Sequence, residues 1–147
     1  MKAASITTDR RSFVNMTDRN LIDMAAEVLK NSYSPYSRFK VGAAIECSDG
    51  SIYTGCNIEN AGYRATICAE ASAVAAAVSA GRREFKRIAI ISEGSAYCFP
   101  CGVCRQMLYE FAPDLELLCA RADGRYVSYP LKSLLPMAFG PEHLGDG

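Results

Sequence analysis

At 147 residues, with half of them hydrophobic and 22% charged, the chain has the makeup of one soluble globular domain, long enough to bury a substantial core. Its 16 basic and 16 acidic residues cancel and no dense Lys/Arg cluster occurs, which argues against a nucleic-acid partner. No run is apolar for long enough to cross a bilayer and the opening "MKAASITTDRRSF" lacks a signal-peptide core, so no membrane partner and a cytoplasmic location are expected.

Residues 1–16 show no clear period and read as a lead-in, leaving 17–147 as the domain. From Thr17, a suitable N-cap, Leu21, Met24, Ala25, Val28 and Leu29 recur at helical spacing, and "SPYS" at 34–37 stops that helix. "KVGAAIECSDGSIYTGCN" predicts strand, turn and strand, with Asp49-Gly50 in the turn. Gly42 and Gly55 inside those strands mark bulges or a close backbone approach. After the irregular "NIENAGYRAT", the alanine-rich "ICAEASAVAAAVSAG" predicts a helix capped by Thr66 and closed by Gly81. "KRIAIIS" reads as a central strand, a loop leads to Pro100, and a third helix runs from about Gly102 to Phe111, before Pro113. "ELLCARADGRYVSY" predicts a hairpin around Asp123-Gly124, and "PLKSLLPMAF" a short helix. The order α-β-β-α-β-α-β-β implies an α/β fold, a mixed sheet of about five strands with helices on both faces.

Seven cysteines, an odd number in a reducing compartment, point away from a disulfide framework and toward metal binding or catalysis. Cys101 and Cys104 in "FPCGVCRQ" cannot fill a zinc site alone, and the only histidine, His143, lies in a polar tail where it reads as solvated. The missing ligand must come from a carboxylate or from Cys47, Cys56, Cys68, Cys98 or Cys119. Cys68 stands apart. In "CAE" it opens a helix, where free N–H groups and the dipole favour a thiolate, and Cys101 occupies the same kind of place. Glu70, two residues on, can reach a metal-held water without being a ligand. Cys-x-Glu followed by Pro-Cys-x-x-Cys is the three-cysteine form of the zinc-deaminase signature.

Three other readings stay open on the residues alone. Cys98-x-x-Cys101-x-x-Cys104 matches the start of an iron–sulfur motif but lacks its fourth Cys-Pro. A redox pair is a second, and a closed structural zinc site with Cys98 as fourth ligand a third. Cys47, Cys56 and Cys119 fall in predicted strands and read as small buried side chains.

Taken together, "SPYSRFKVGAA", "GCNIENA", "CAE", "PCGVCRQ" and "LLPMAFGPEHL", spread over residues 17–144, resemble the cytidine deaminases, specifically the short homotetrameric type with a three-cysteine zinc site. The resemblance implies the three-layer cytidine deaminase-like fold, Zn²⁺ on Cys68, Cys101 and Cys104, and hydrolysis of cytidine and 2′-deoxycytidine to uridine and 2′-deoxyuridine in pyrimidine salvage. Glu70 is then the acid–base residue. Asn57 and Glu59 would bond the ribose hydroxyls, Phe39 would pack on the nucleoside, and the backbone of Ala69 would contact the base. Tyr63 and Phe139 match aromatics that such tetramers place in a neighbour's site. A related deaminase of the blasticidin S type, or a noncatalytic zinc module, are the alternatives. One departure stands out: where the family places an arginine after "CAE", this chain has Ala71, so either Arg64 or Arg105 reaches the thiolates in its place or the site works with a less activated water.

Overall fold

The structure is a computed structural model that describes residues 16–145; of the expected lead-in only Met16 falls within them. Thr17 caps α1 (Asp18–Leu29) as predicted, its hydroxyl accepting from the Asn20 N–H while the Asn20 side chain returns to the Thr17 N–H. The stripe Leu21, Ile22, Ala25 and Leu29 is buried, and the helix ends at Leu29, with four residues between it and "SPYS". Strands β1 (Val41–Cys47) and β2 (Ile52–Cys56) form an antiparallel hairpin that turns at Asp49-Gly50. Next come α2 (Ala69–Ser79), β3 (Phe85–Ser92), α3 (Gly102–Phe111), β4 (Glu116–Ala120), β5 (Tyr126–Pro130) and the short α4 (Leu131–Leu134).

The sheet order is β2-β1-β3-β4-β5, with β3 and β4 parallel and the other pairs antiparallel. Each strand of the mixed sheet sends alternate side chains to opposite faces. Ala43, Ile45, Ile88, Ile90, Leu117 and Cys119 meet α2, α3 and α4 on one side. Ala44, Ala89, Ile91, Leu118 and Ala120 meet α1 on the other. Three layers result, with β3 buried along nearly its whole length, as its unbroken apolar run predicts.

The strand glycines mark close approach. A Cβ on Gly42 would lie 2.1 Å from the Ala25 carbonyl oxygen of α1, and one on Gly55 would lie 2.4 Å from the Ala73 nitrogen of α2. The sheet's register shift falls elsewhere, between Glu46 and Cys47. The start of α2 differs from expectation. Cys68 occupies the N-cap with extended backbone (φ −70, ψ 156), while the Thr66 hydroxyl accepts from the Asn60 N–H at 3.2 Å and so steadies the preceding loop.

A buried polar knot on the α1 face was not foreseen. Arg87 of β3 bonds Glu46 of β1, Asp18 of α1 and the Met16 carbonyl, and Tyr126 of β5 donates to Asp18 at 2.9 Å. Glu46 and Arg87 are 5% and 9% exposed, so the pairing offsets what would otherwise be a costly desolvation of both charges.

Candidate active site

Two helix N-termini and the loop leaving the C-terminal end of β3 converge on one spot. Cys68 is the N-cap of α2, Cys101 the N-cap of α3, and Cys104 lies in the first turn of α3. Their sulfurs lie within 4.8 Å of one another, with Cys68 Sγ and Cys101 Sγ 3.9 Å apart. A tetrahedral zinc with Zn–S bonds of about 2.3 Å needs an S···S edge of about 3.8 Å, so the cluster fits the metal with little rearrangement. Neither N-cap cysteine uses its side chain to cap its own helix, so both sulfurs stay free for the cluster. The positive helix ends offset part of the thiolate charge. A hydrogen bond from Cys104 draws the Cys68 thiol down to about 6, and the same bond, aided by burial, pushes the Cys104 thiol up.

Cys98 is not in the cluster. It is buried against the core, and that burial, with the Glu70 charge nearby, lifts its thiol to about 11. Cys47 and Cys119 are buried in strands as predicted, and Cys56 is half-buried. His143 lies in the 3-10 turn Pro141–His143, accepts the Gly140 N–H at 3.0 Å and stacks on Phe139 with ring centroids 5.2 Å apart. Among the described residues no other set of three metal-ligating side chains comes together. Three protein ligands, with no fourth in the cluster among the described residues, are the pattern of a zinc site that keeps one position for a reactant.

Glu70 lies in the first turn of α2 and is 4% exposed. Burial is the main reason its carboxyl is raised to about 7, and the Cys68 charge adds to it. A carboxyl near neutrality takes and returns protons with little penalty in either direction. Ala69, between it and Cys68, is fully buried.

Phe39, Asn57 and Glu59 gather around the start of β1, whereas Phe139 lies by α3, its carbonyl accepting from Gln106. Phe39 is 51% exposed rather than packed in the core, where a residue preceding a strand would ordinarily sit. Asn57 has much of its amide committed: it donates to the Phe39 carbonyl at 2.7 Å and accepts from the Val41 N–H at 2.9 Å and from the Ser32 hydroxyl. Glu59 accepts the Tyr36 and Ser37 N–H groups at 3.0 and 3.1 Å. A further bond from the Ser37 hydroxyl is the largest of the effects that hold its carboxyl below the usual range. Ser32 and Ser37, which tie this loop to "NIEN", escaped the sequence reading because nothing in "NSYSPYS" distinguishes them from ordinary turn serines. Tyr63 is 78% exposed and Phe139 56%; the former meets Tyr36 edge-on with centroids 6.4 Å apart.

The cation expected at the thiolates is not there. Arg105 donates to the Pro100 carbonyl at 2.9 Å and the Leu134 carbonyl at 2.8 Å, and Arg64 is exposed on the 3-10 turn Tyr63–Ala65. Neither hydrogen-bonds a ligand sulfur within the described chain.

A sequence profile described as the cytidine and deoxycytidylate deaminase zinc-binding region matches residues 15–118. The chain is 40% identical over 132 residues to a cytidine deaminase of Halalkalibacterium halodurans, which covers 89% of this chain and all of the relative. Its fold superposes on the crystal structure of a cytidine deaminase from Burkholderia pseudomallei with a TM-score of 0.82 at 42% identity, covering 84% of this chain and all of that one. A blasticidin-S deaminase of Bacillus cereus is more distant, at 30% identity over 134 residues, 86% of this chain and 94% of the relative.

Proposed function

The chain belongs to the cytidine and deoxycytidylate deaminase family, and we propose that it is a zinc-dependent cytidine deaminase that hydrolyses cytidine and 2′-deoxycytidine to the uridines with release of ammonia. The observation that carries this reading is a buried carboxyl, Glu70, in the first turn of the helix that Cys68 caps, beside a three-thiolate cluster. A purely structural zinc site has no use for a carboxyl there, since an unpaired buried one costs stability.

Cys68, Cys101 and Cys104 hold the zinc. When bound, the metal supplies Lewis acidity that lets water be deprotonated near neutral pH. Glu70 takes the proton of the attacking water and delivers one to ring N3, which makes C4 more electrophilic. After attack, the same carboxyl carries the second proton to the departing amino group, so that one water enters and one ammonia leaves. Phe39, half exposed beside the loop, packs on the nucleoside. Glu59 has one oxygen engaged by backbone N–H groups, which leaves the other for a ribose hydroxyl. Asn57 contributes through the amide hydrogen not spent on the Phe39 carbonyl, and the Ala69 backbone borders the base. Held this way by its sugar, the base meets Glu70 in one orientation, which favours nucleosides over free bases.

The same reading makes the protein a cytoplasmic enzyme of pyrimidine salvage and a homotetramer. A reducing compartment suits three ligand thiols. Tyr63 and Phe139, bulky and exposed, complete a neighbouring subunit's site.

Loss of cytidine absorbance, followed with and without a chelator, tests the activity; a zinc-replete protein that leaves cytidine and deoxycytidine intact sinks it. Blasticidin S as competing substrate separates the related specificity, because turnover of it in preference to cytidine reverses the assignment. Light scattering tests assembly, and a fully active monomer is incompatible with shared sites.

A further inference from the structure

The residue that follows the last ligand faces away from the metal and toward the loop that carries another ligand. Arg105 reaches back with Nε to the Pro100 carbonyl and across with Nη1 to the Leu134 carbonyl. We propose that Arg105 is a positioning residue for the metal loop, its planar guanidinium fixing the direction in which Cys101 presents its sulfur. This rests on the assignment of Cys68, Cys101 and Cys104 as zinc ligands.

The three ligands are not equally held. Cys104 is 1% exposed, gripped by the core, and Cys68 is half-buried, whereas Cys101 is exposed. Cys101 is the N-cap of α3, with extended backbone (φ −68, ψ 168): its carbonyl accepts the Arg105 N–H at 3.0 Å, but its side chain makes no capping bond. What can restrain it is the peptide unit before it. The Pro100 carbonyl oxygen and the Cys101 nitrogen share one rigid plane, and the proline ring fixes its own φ. Pinning that oxygen therefore sets the axis about which Cys101 turns.

The far anchor is firm. Leu134 ends α4, where carbonyls lack an intrahelical partner and accept a guanidinium readily. Leu131, at the start of the same helix, is fully buried, and its N–H bonds the Leu115 carbonyl at 2.8 Å. Arg105 thus ties the one loosely held ligand to a point fixed in the core. A lysine has a single ammonium and cannot span both carbonyls in a set geometry. Gln106, the next residue, points elsewhere: its Nε2 donates to the Phe139 carbonyl of the C-terminal segment, 2.8 Å away. It is the natural control.

The experiment loads the full chain with zinc and follows release to a chromogenic chelator, then repeats the loading with Co²⁺, whose visible bands report thiolate geometry. Arg105→Gln should release zinc about 10–100-fold faster, the usual cost of losing a partner that orients a ligand, and should shift or weaken the Co²⁺ bands. Arg105→Lys should fall between it and the parent, and decides the matter if the glutamine variant does not fold. Gln106→Ala should leave both readouts unchanged. A parent release rate and parent Co²⁺ spectrum in Arg105→Lys and Arg105→Gln overturn the proposal, since a merely stabilising arginine leaves the spectrum alone. Equal effects in Gln106→Ala overturn it too. A parent chain that takes up no zinc removes the ligand assignment itself, a distinct failure.

Discussion

Replacing Gly55 with alanine should damage catalysis from the sheet side of α2. The new Cβ would stand 2.4 Å from the Ala73 nitrogen, 2.6 Å from the Ala69 oxygen and 2.6 Å from the Ser72 Cβ, whereas ordinary contact begins at 3.4 Å. Two of those atoms are helix backbone and cannot rotate aside, so α2 must retreat by about 1 Å or β2 must bend by as much. Overpacking of this kind costs about 1–3 kcal/mol. The roughly 0.4–1 kcal/mol that alanine contributes by restricting the unfolded chain is too small to reverse the sign. For a domain of this size, melting should fall by about 3–10 °C. The helix that moves carries Cys68 at its cap and Glu70 in its first turn, and a displacement of about 1 Å is enough to cost on the order of 10²-fold in kcat/KM. Gly81→Ala supplies the comparison. It lies at the other end of α2 with φ +81 and open space around it, so it costs about 1–2 kcal/mol through backbone strain alone and should leave kcat/KM unchanged. Calorimetry, zinc analysis and the ultraviolet cytidine assay on both variants check this. If Gly55→Ala melts lower but keeps parental kcat/KM, the contact with β2 does not seat the catalytic helix.

Glu70→Gln should keep zinc and fold but lose deamination by at least about 10²–10⁴, measured as kcat with metal content confirmed; near-parental turnover refutes the acid–base role. Cys104→Ser should abolish tight zinc binding while Cys98→Ser retains it, because Cys98 lies outside the cluster; metal loss in the Cys98 variant points to a closed four-cysteine site. Glu59→Gln should raise the KM for cytidine more than it lowers kcat. Because the Glu59 carboxyl is held below its ordinary value of 4.5, its charge persists as pH falls toward that value and is lost only beneath it. Glu70 titrates over the same range in parent and variant, so the ratio of Glu59→Gln to parent KM should stay constant from pH 7 to about 5, and a ratio that falls toward one over that interval would count against the ribose contact.

Much of the architecture is written locally. The Thr17 cap, the apolar stripe of α1, the Asp-Gly hairpin turns, the unbroken apolar run of β3 and the stop before Pro113 each depend on residues within a few positions of one another, so period and propensity reveal them. Cys-x-Glu and Pro-Cys-x-x-Cys are legible for the same reason: each is set by the first turn of one helix. Thr66 misled because a suitable cap residue is only a competitor for the job. The Asn60 N–H took its hydroxyl, and the helix began at Cys68.

The chain's own order thus determined which elements form and which cysteines open helices. The tertiary structure decided what those side chains face. Arg87 and Glu46 lie 41 residues apart, Tyr126 and Asp18 are separated by 108, and Arg105 reaches a carbonyl 29 positions away. No periodicity encodes such partners. An arginine beside a thiolate motif looks the same in sequence whether it bonds sulfur or backbone, and the packing of α4 beside α3 turned Arg105 to the carbonyls. The asparagine of "NIEN" likewise became a brace for Phe39 and Val41 only when β1 and β2 paired. Local free energies are sums over neighbours along the chain, whereas the desolvation of a charge or amide is settled by whichever donors and acceptors the folded layers bring within about 3 Å.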